Sequence, residues 1–361
     1  MSCKGGGTMK RQRSAWLARA IPSLALAVLV TLSLPCGPSL ATGASAPRGV
    51  GPLAIIAGWT IALVDLQGRV VARVRPRARS LISTTEATAV PLPTVSASRS
   101  RLYYLDGDRQ IRVLTPNGTT AAVATAPGNS HAHVAFAVSP DDRQMAVSVL
   151  DYAARPAHLT LYVQDLRTGR RHALFASTQR YEWPIGWRSG ALVLAVATSA
   201  YTAFGAPNPY EAWNGYHVVD AATGQRLATL CPGGAVTGPV VRAGTPCWRQ
   251  EAWSVQSWTG GTRFTAHAPA GVSVLAPDGH QMAWRSAIDD TLFLLGPQDQ
   301  RRRLAVRGYP GGWLDATHLL VGGVTGVGTG LCIVDVRSGR ITPTAAQGRF
   351  VGVLPSDLGP S

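Results

Sequence analysis

One short pattern recurs along this chain and narrows the folds open to it. An apolar alternating stretch ends in Asp, two residues intervene, Ser/Thr-Gly-Arg/Gln follows, and a second stretch begins. Clear copies are Tyr162-Val163-Gln164-Asp165 to Gly169-Arg170, Val218-Val219-Asp220 to Gly224-Gln225, and Ile333-Val334-Asp335 to Gly339-Arg340. A shortened copy is Leu63-Val64-Asp65-Leu66-Gln67-Gly68-Arg69. Looser copies centre on Thr115-Pro116-Asn117-Gly118, Thr259-Gly260-Gly261 and Gly296-Pro297-Gln298-Asp299. Period-two patterning marks strands, an Asp side chain can hold the amides of a turn, and Gly supplies positive φ. Each copy therefore reads as a β-hairpin, and there are seven.

A second pattern precedes most of these hairpins. It is clearest at Ala137-Val138-Ser139-Pro140-Asp141-Asp142-Arg143-Gln144-Met145-Ala146-Val147, and Leu275-Ala276-Pro277-Asp278-Gly279-His280-Gln281-Met282-Ala283-Trp284 repeats it closely. Weaker copies begin at Ser96, Gly186 and Gly312. These Ser-Pro-Asp-Gly-like turns, each running into an apolar strand, resemble the TolB-like and WD40-like propeller repeat over roughly residues 52–354. The resemblance implies an all-β fold, a β-propeller of seven four-stranded blades, and implies nothing specific about function. The hairpins recur about every 38–55 residues, the period of such blades. No good copy of the inner turn is visible at residues 235–250.

The first hairpin, at residues 59–74, has no inner pair before it. The last apolar stretch, Arg349-Phe350-Val351-Gly352-Val353-Leu354, has no hairpin after it. A first blade closed by the C-terminal strand satisfies both and leaves no open sheet edge. A six-bladed ring is the alternative.

Residues 1–41 read as a signal peptide. Lys4, Lys10, Arg11, Arg13 and Arg19 precede an apolar run from Ala20 to Leu34, and Ser39-Leu40-Ala41 offers a cleavage site. Cleavage after Ala46, an uncleaved anchor and lipidation at Cys36 are the competing readings. Residues 42–51 form a linker, 52–354 the propeller and 355–361 a tail. Removing the five leader cations from 34 leaves 29 bases against 19 acids, a net of about +10. With Lys4 and Lys10 gone, the basic residues of the mature chain are arginines, which excludes a Walker A loop and a Schiff-base lysine. No Gly-x-Ser-x-Gly elbow occurs.

Three cysteines survive leader removal. In an oxidising compartment Cys231 and Cys247 are the natural disulfide, and Cys332, inside Leu331-Cys332-Ile333-Val334, reads as a buried thiol.

The largest departure from the repeat is an insertion holding Tyr201, Phe204, Tyr210, Trp213 and Tyr216 among Gly, Pro and Asn. Exposed aromatics beside amides suit sugar faces or extended peptides, so these five are the candidate ligand-binding residues. A second aromatic group, Trp248, Trp253 and Trp258, suits core packing. His131 and His133 lie two apart on a strand, a partial metal site without a third ligand, so no metal and no cofactor is expected. Arg73, Arg75, Arg77 and Arg79, and the run Arg301-Arg302-Arg303, read as solvated strand edges.

The sequence thus predicts an exported, monomeric, non-enzymatic binding or scaffold module for an envelope protein or glycan. Nucleic acid is not an expected partner, and membrane contact comes only through an uncleaved N-terminal segment. The alternative is a hydrolase- or lyase-type propeller enzyme built from loop acids such as Asp106, Asp108, Glu182, Asp289 and Asp290.

Overall fold

The Asp-centred repeats form hairpins capped by their own side chains. In a computed structural model of the chain, Asp165 Oδ1 accepts the amides of Arg167 and Thr168 at 3.0 and 2.7 Å and the Thr168 hydroxyl at 2.8 Å. Asp220 does the same with Ala222 and Thr223. The glycine after each, Gly169 at φ +73° and Gly224 at φ +74°, takes the left-handed turn that a Cβ would strain. These hydrogen bonds hold both carboxyls below the usual Asp range.

The structure describes residues 51–83, 88–89, 94–188, 190–199, 214–234, 241–249, 251–324 and 330–355. The expected leader, nearly all of the linker and most of the tail lie outside them. The described strands form seven blades of antiparallel sheet around a ring. Blade 1 runs outward as Arg349–Leu354, Leu53–Ala57, Ile61–Val64 and Val70–Val74. Blade 2 extends from Val95–Ala97 through Leu102–Asp106 and Gln110–Leu114 to Thr120–Thr125. Blade 3 is Ala132–Val138, Gln144–Asp151, His158–Asp165 and Arg171–Ser177.

Blade 4 is Tyr181–Arg188, Ala191–Ala197, Tyr216–Asp220 and Arg226–Leu230. Blade 5 has three described strands, Thr245–Arg249, Ala252–Gln256 and Thr262–His267. Residues 235–240, just upstream, lie outside the described residues. Blade 6 is Val272–Leu275, Met282–Arg285, Thr291–Leu295 and Arg301–Arg307. Blade 7 is Tyr309–Trp313, His318–Gly322, Leu331–Asp335 and Ile341–Pro343.

The C-terminal strand closes the first blade, with Leu53 opposite Leu354 and Ala57 opposite Arg349. Seven blades, not six, complete the ring. Leu53–Ala57 escapes the repeat pattern: it reads LAIIA and is buried at every position. A strand covered on both faces shows no alternation, so periodicity cannot mark it. In blade 5, Val241–Gly244 makes the inner turn ahead of Thr245–Arg249, in the stretch where no copy was legible.

Indole N–H groups tie neighbouring blades. Trp187 donates to Ala137 O at 2.8 Å and Trp313 to Val274 O at 3.0 Å, while Trp258 donates within blade 5, to Val241 O at 2.7 Å. Trp253 and Trp284 both donate to Pro269 O, at 3.2 and 3.1 Å. Between blades 2 and 3 the staple is Tyr103, whose hydroxyl reaches Asp142 Oδ1 at 2.8 Å. Burial and the Asp142 carboxylate push that phenol's pKa up. Cys231 and Cys247 form a disulfide between blades 4 and 5, and Cys332 is a buried free thiol.

Because each blade is an antiparallel meander, the ring has two distinct faces. One, the connection face, carries the links between blades and the turns joining second to third strands. The other, the turn face, carries the inner turns and the Asp-centred hairpins. Among the described residues no helix is long and apolar enough to cross a membrane.

Candidate ligand-binding face

Six large apolar side chains are exposed among the described residues, and four of them belong to the connection face. Trp59, 75 % exposed, tops the tight turn between Leu53–Ala57 and Ile61–Val64. Ile288, 94 % exposed, tops the corresponding turn of blade 6. Tyr309 begins the innermost strand of blade 7, and Leu81 lies in the link from blade 1 to blade 2. The other two, Val71 and Leu227, sit on outer strands. Sequence reasoning passed over all four face residues, because each is a lone apolar residue in a turn or strand end. Only strand connectivity puts them on one side.

Tyr201, Phe204, Tyr210 and Trp213 lie outside the described residues. The strands flanking that segment, Ala191–Ala197 and Tyr216–Asp220, end and begin at the connection face. Tyr216 is a correction. It is 1 % exposed, sits in the core and meets Trp258 edge-on at 5.8 Å between ring centroids. As the first residue of a third strand it faces blade 5, and its apolar ring is worth more there than in solvent. Trp253 and Trp258 are buried as well.

The two histidines do not form a pair. His131 is exposed, ahead of the strand, while His133 lies within Ala132–Val138 with its Nδ1 buried. Burial, and then the nearby Arg79 guanidinium, push the His133 pKa down to about 3. A cation beside this imidazole opposes a metal ion there. Among the described residues no group of three His, Cys, Asp or Glu could hold a metal.

The arginine runs differ residue by residue. Arg73 and Arg75 are exposed, and Arg77 donates to Asp106 through its amide at 2.6 Å and Nε at 3.1 Å. Arg79 is buried instead of solvated, its pKa lowered to about 10 by desolvation against the opposing pull of Asp108. Arg301, on the outer strand of blade 6, packs over Phe293 at 3.9 Å from the ring centroid.

The candidate acids are each held by different neighbours. Asp108 accepts the Ser80 amide at 2.8 Å and hydroxyl at 2.5 Å. Asp289 is bound by Thr291 and Ser286, which bring its pKa down to about 2. Asp290 pairs with Arg285, which also stacks 3.8 Å over the Tyr309 ring.

Glu182 has the most developed surroundings. It is 1 % exposed, and its Oε1 accepts Arg180 Nε at 2.9 Å and Nη2 at 2.7 Å, with His217 Nδ1 at 3.1 Å. Burial pushes its pKa up, but His217 and Arg180 outweigh burial and leave it below the usual Glu value. Register makes the cluster: Glu182 lies opposite Val196, and His217 opposite Leu194, so both project on the same side of the sheet. Arg180-x-Glu182 is visible in the sequence, but His217 joins it only across that sheet.

No protein-family model and no curated protein matches this chain. Solved structures with similar folds include TolB from Acinetobacter baumannii, at 12 % identity over 86 % of this chain and 67 % of that one, TM-score 0.42. The Cps50 (Swd1) β-propeller domain of Myceliophteria thermophila is 12 % identical over 80 % of this chain and 91 % of that one, TM-score 0.47. An oligogalacturonate lyase in complex with manganese is 10 % identical over 78 % and 69 %, TM-score 0.37. The chain's own sheets define its class: a seven-bladed β-propeller.

Proposed function

We propose that this protein is an exported, non-enzymatic binding or scaffold module that engages an envelope protein or glycan through its connection face. The observation that carries the reading is the gathering of Trp59, Leu81, Ile288 and Tyr309 on that face. Large exposed apolar residues collected on one side of a ring favour a partner surface. The acids of the same face support it, since most are neutralised by separate neighbours and do not converge on one reacting atom. The test is capture from envelope extract by immobilised full-length protein. Binding should fall when Trp59→Ala and Ile288→Glu are combined, and persist with Arg167→Gln and Arg337→Gln on the turn face. Equal capture by both variants would overturn the reading.

One cluster favours a second reading, a loop-built active site. Arg180, Glu182 and His217 do meet within hydrogen-bond reach. Glu182 is sealed, however, and a substrate would first have to displace Arg180. Glu182→Gln that keeps full capture of the partner separates the two readings.

A further inference from the structure

We infer that the turn face holds an oxyanion site between blades 4, 5 and 6, formed by Arg188, Arg242 and Arg263. Arg188 ends the innermost strand of blade 4, Arg242 lies in the inner turn of blade 5, and Arg263 is the second residue of that blade's outer strand. Strand direction brings all three to the same face. Arg188 Nη1 donates to Arg242 O at 2.7 Å, which anchors its guanidinium across the blade boundary, and among the described residues its other N–H groups make no further hydrogen bond.

Arg263 reaches towards the same boundary. A Cβ placed on Gly279 would lie 3.1 Å from Arg263 Nη1 and 2.5 Å from the Ala243 Cβ. The Arg263 guanidinium therefore lies against the inner turn of blade 6, beside the residue that follows Arg242. Burial, and then the charges of Arg242 and Arg263, hold the Arg188 pKa below the ordinary arginine value.

Among the described residues none of these three arginines has a carboxylate partner, whereas Arg69, Arg77, Arg101, Arg143, Arg180 and Arg285 all do. The neighbouring acid, Asp278, spends its Oδ1 on the His280 amide within its own turn. Like charges brought together without counter-charge are a local cost, and a tetrahedral oxyanion removes it. Planar guanidinium groups match phosphate oxygens in paired hydrogen bonds, so the ligand class is a phosphate, free or carried by a lipid headgroup. The frame is rigid, since Trp258 ties Val241 and the Cys231–Cys247 disulfide ties blades 4 and 5.

Calorimetric titration of the full-length protein with inorganic phosphate at low salt tests the site. We expect saturation at one phosphate per chain, and a loss of about tenfold in affinity for each of Arg188→Gln and Arg263→Gln. Arg340→Gln, in the blade 7 hairpin, should bind as wild type. Arg263 donates no hydrogen bond among the described residues, so its variant tests the charge without threatening the fold. Vesicles of phosphatidylglycerol, set against phosphatidylcholine, identify the source. Binding to the former that free phosphate displaces means a headgroup, and phosphate binding without vesicle binding means a soluble ligand. Heats that never saturate, or affinities equal in Arg263→Gln and Arg340→Gln, would overturn the site.

Discussion

Ala54 lies opposite Val353 in the ladder that closes the ring, so the two ends of the propeller share one sheet. Phe350, Val351, Val353 and Leu354 are all buried by that strand. Closing such a distant pair costs entropy that rises only logarithmically with separation, and the intervening blades already hold the ends near each other. Deleting residues 349–361 should therefore destabilise the protein by on the order of 5–10 kcal/mol, from the apolar side chains exposed. A thermal melt within a degree or two of the intact protein would contradict the closure.

The indole staples each leave their acceptor one remaining donor when they are lost. Trp187→Phe removes the hydrogen bond between blades 3 and 4, Ala137 O keeping the Ala146 amide of its own ladder, and should cost about 0.5–1.5 kcal/mol in denaturant unfolding. Trp253→Phe should cost a similar amount, because Pro269 O keeps the Trp284 donor.

The cysteines have separable readouts. Reduction of Cys231–Cys247, which closes a loop of sequence separation 16, should lower stability by about 3 kcal/mol. Cys332 is 1 % exposed with its thiol pKa raised by burial, so it should resist alkylation until the chain unfolds. Peptide mapping with and without denaturant checks both.

His133 and Glu182 set two acid windows. The folded His133 pKa is depressed from 6.5 to about 3, so the unfolded chain takes up that proton first. Its contribution is complete above pH 6.5 and is lost as pH falls towards about 3. His133→Gln should flatten this upper limb of a plot of unfolding midpoint against pH.

Glu182 is also depressed, from the ordinary Glu value of 4.5, so its contribution is complete above about pH 4.5 and is lost only below it. Glu182→Gln should remove that lower limb and leave the His133 limb in place. At neutral pH the variant should be less stable by about 1–3 kcal/mol, because Arg180 loses a charged acceptor. A variant whose acid limb matches wild type would separate Glu182 from acid unfolding.

Sequence by itself determined the propeller repeat and its hairpins, because these are written locally. It also pointed to a closing C-terminal strand, while the choice of seven blades over six fell to the folded ring. An Asp that caps its own turn, a Gly at positive φ and a period-two strand need no distant partner to be legible. Leu53–Ala57 escaped because full burial erases alternation, and Thr245–Arg249 escaped because its inner turn lacks the Asp-Gly chemistry. Which residues meet was decided only in the tertiary structure. His217 reaches Glu182 through strand register, Tyr216 turns inward to Trp258, and His131 and His133 part between solvent and interior. Arg188, Arg242 and Arg263 lie in separate stretches of the chain, and Trp59 and Ile288 are more than two hundred residues apart. Each of these groupings depends on which end of a strand a residue occupies and which blade stands beside it, and the folded ring alone supplies both.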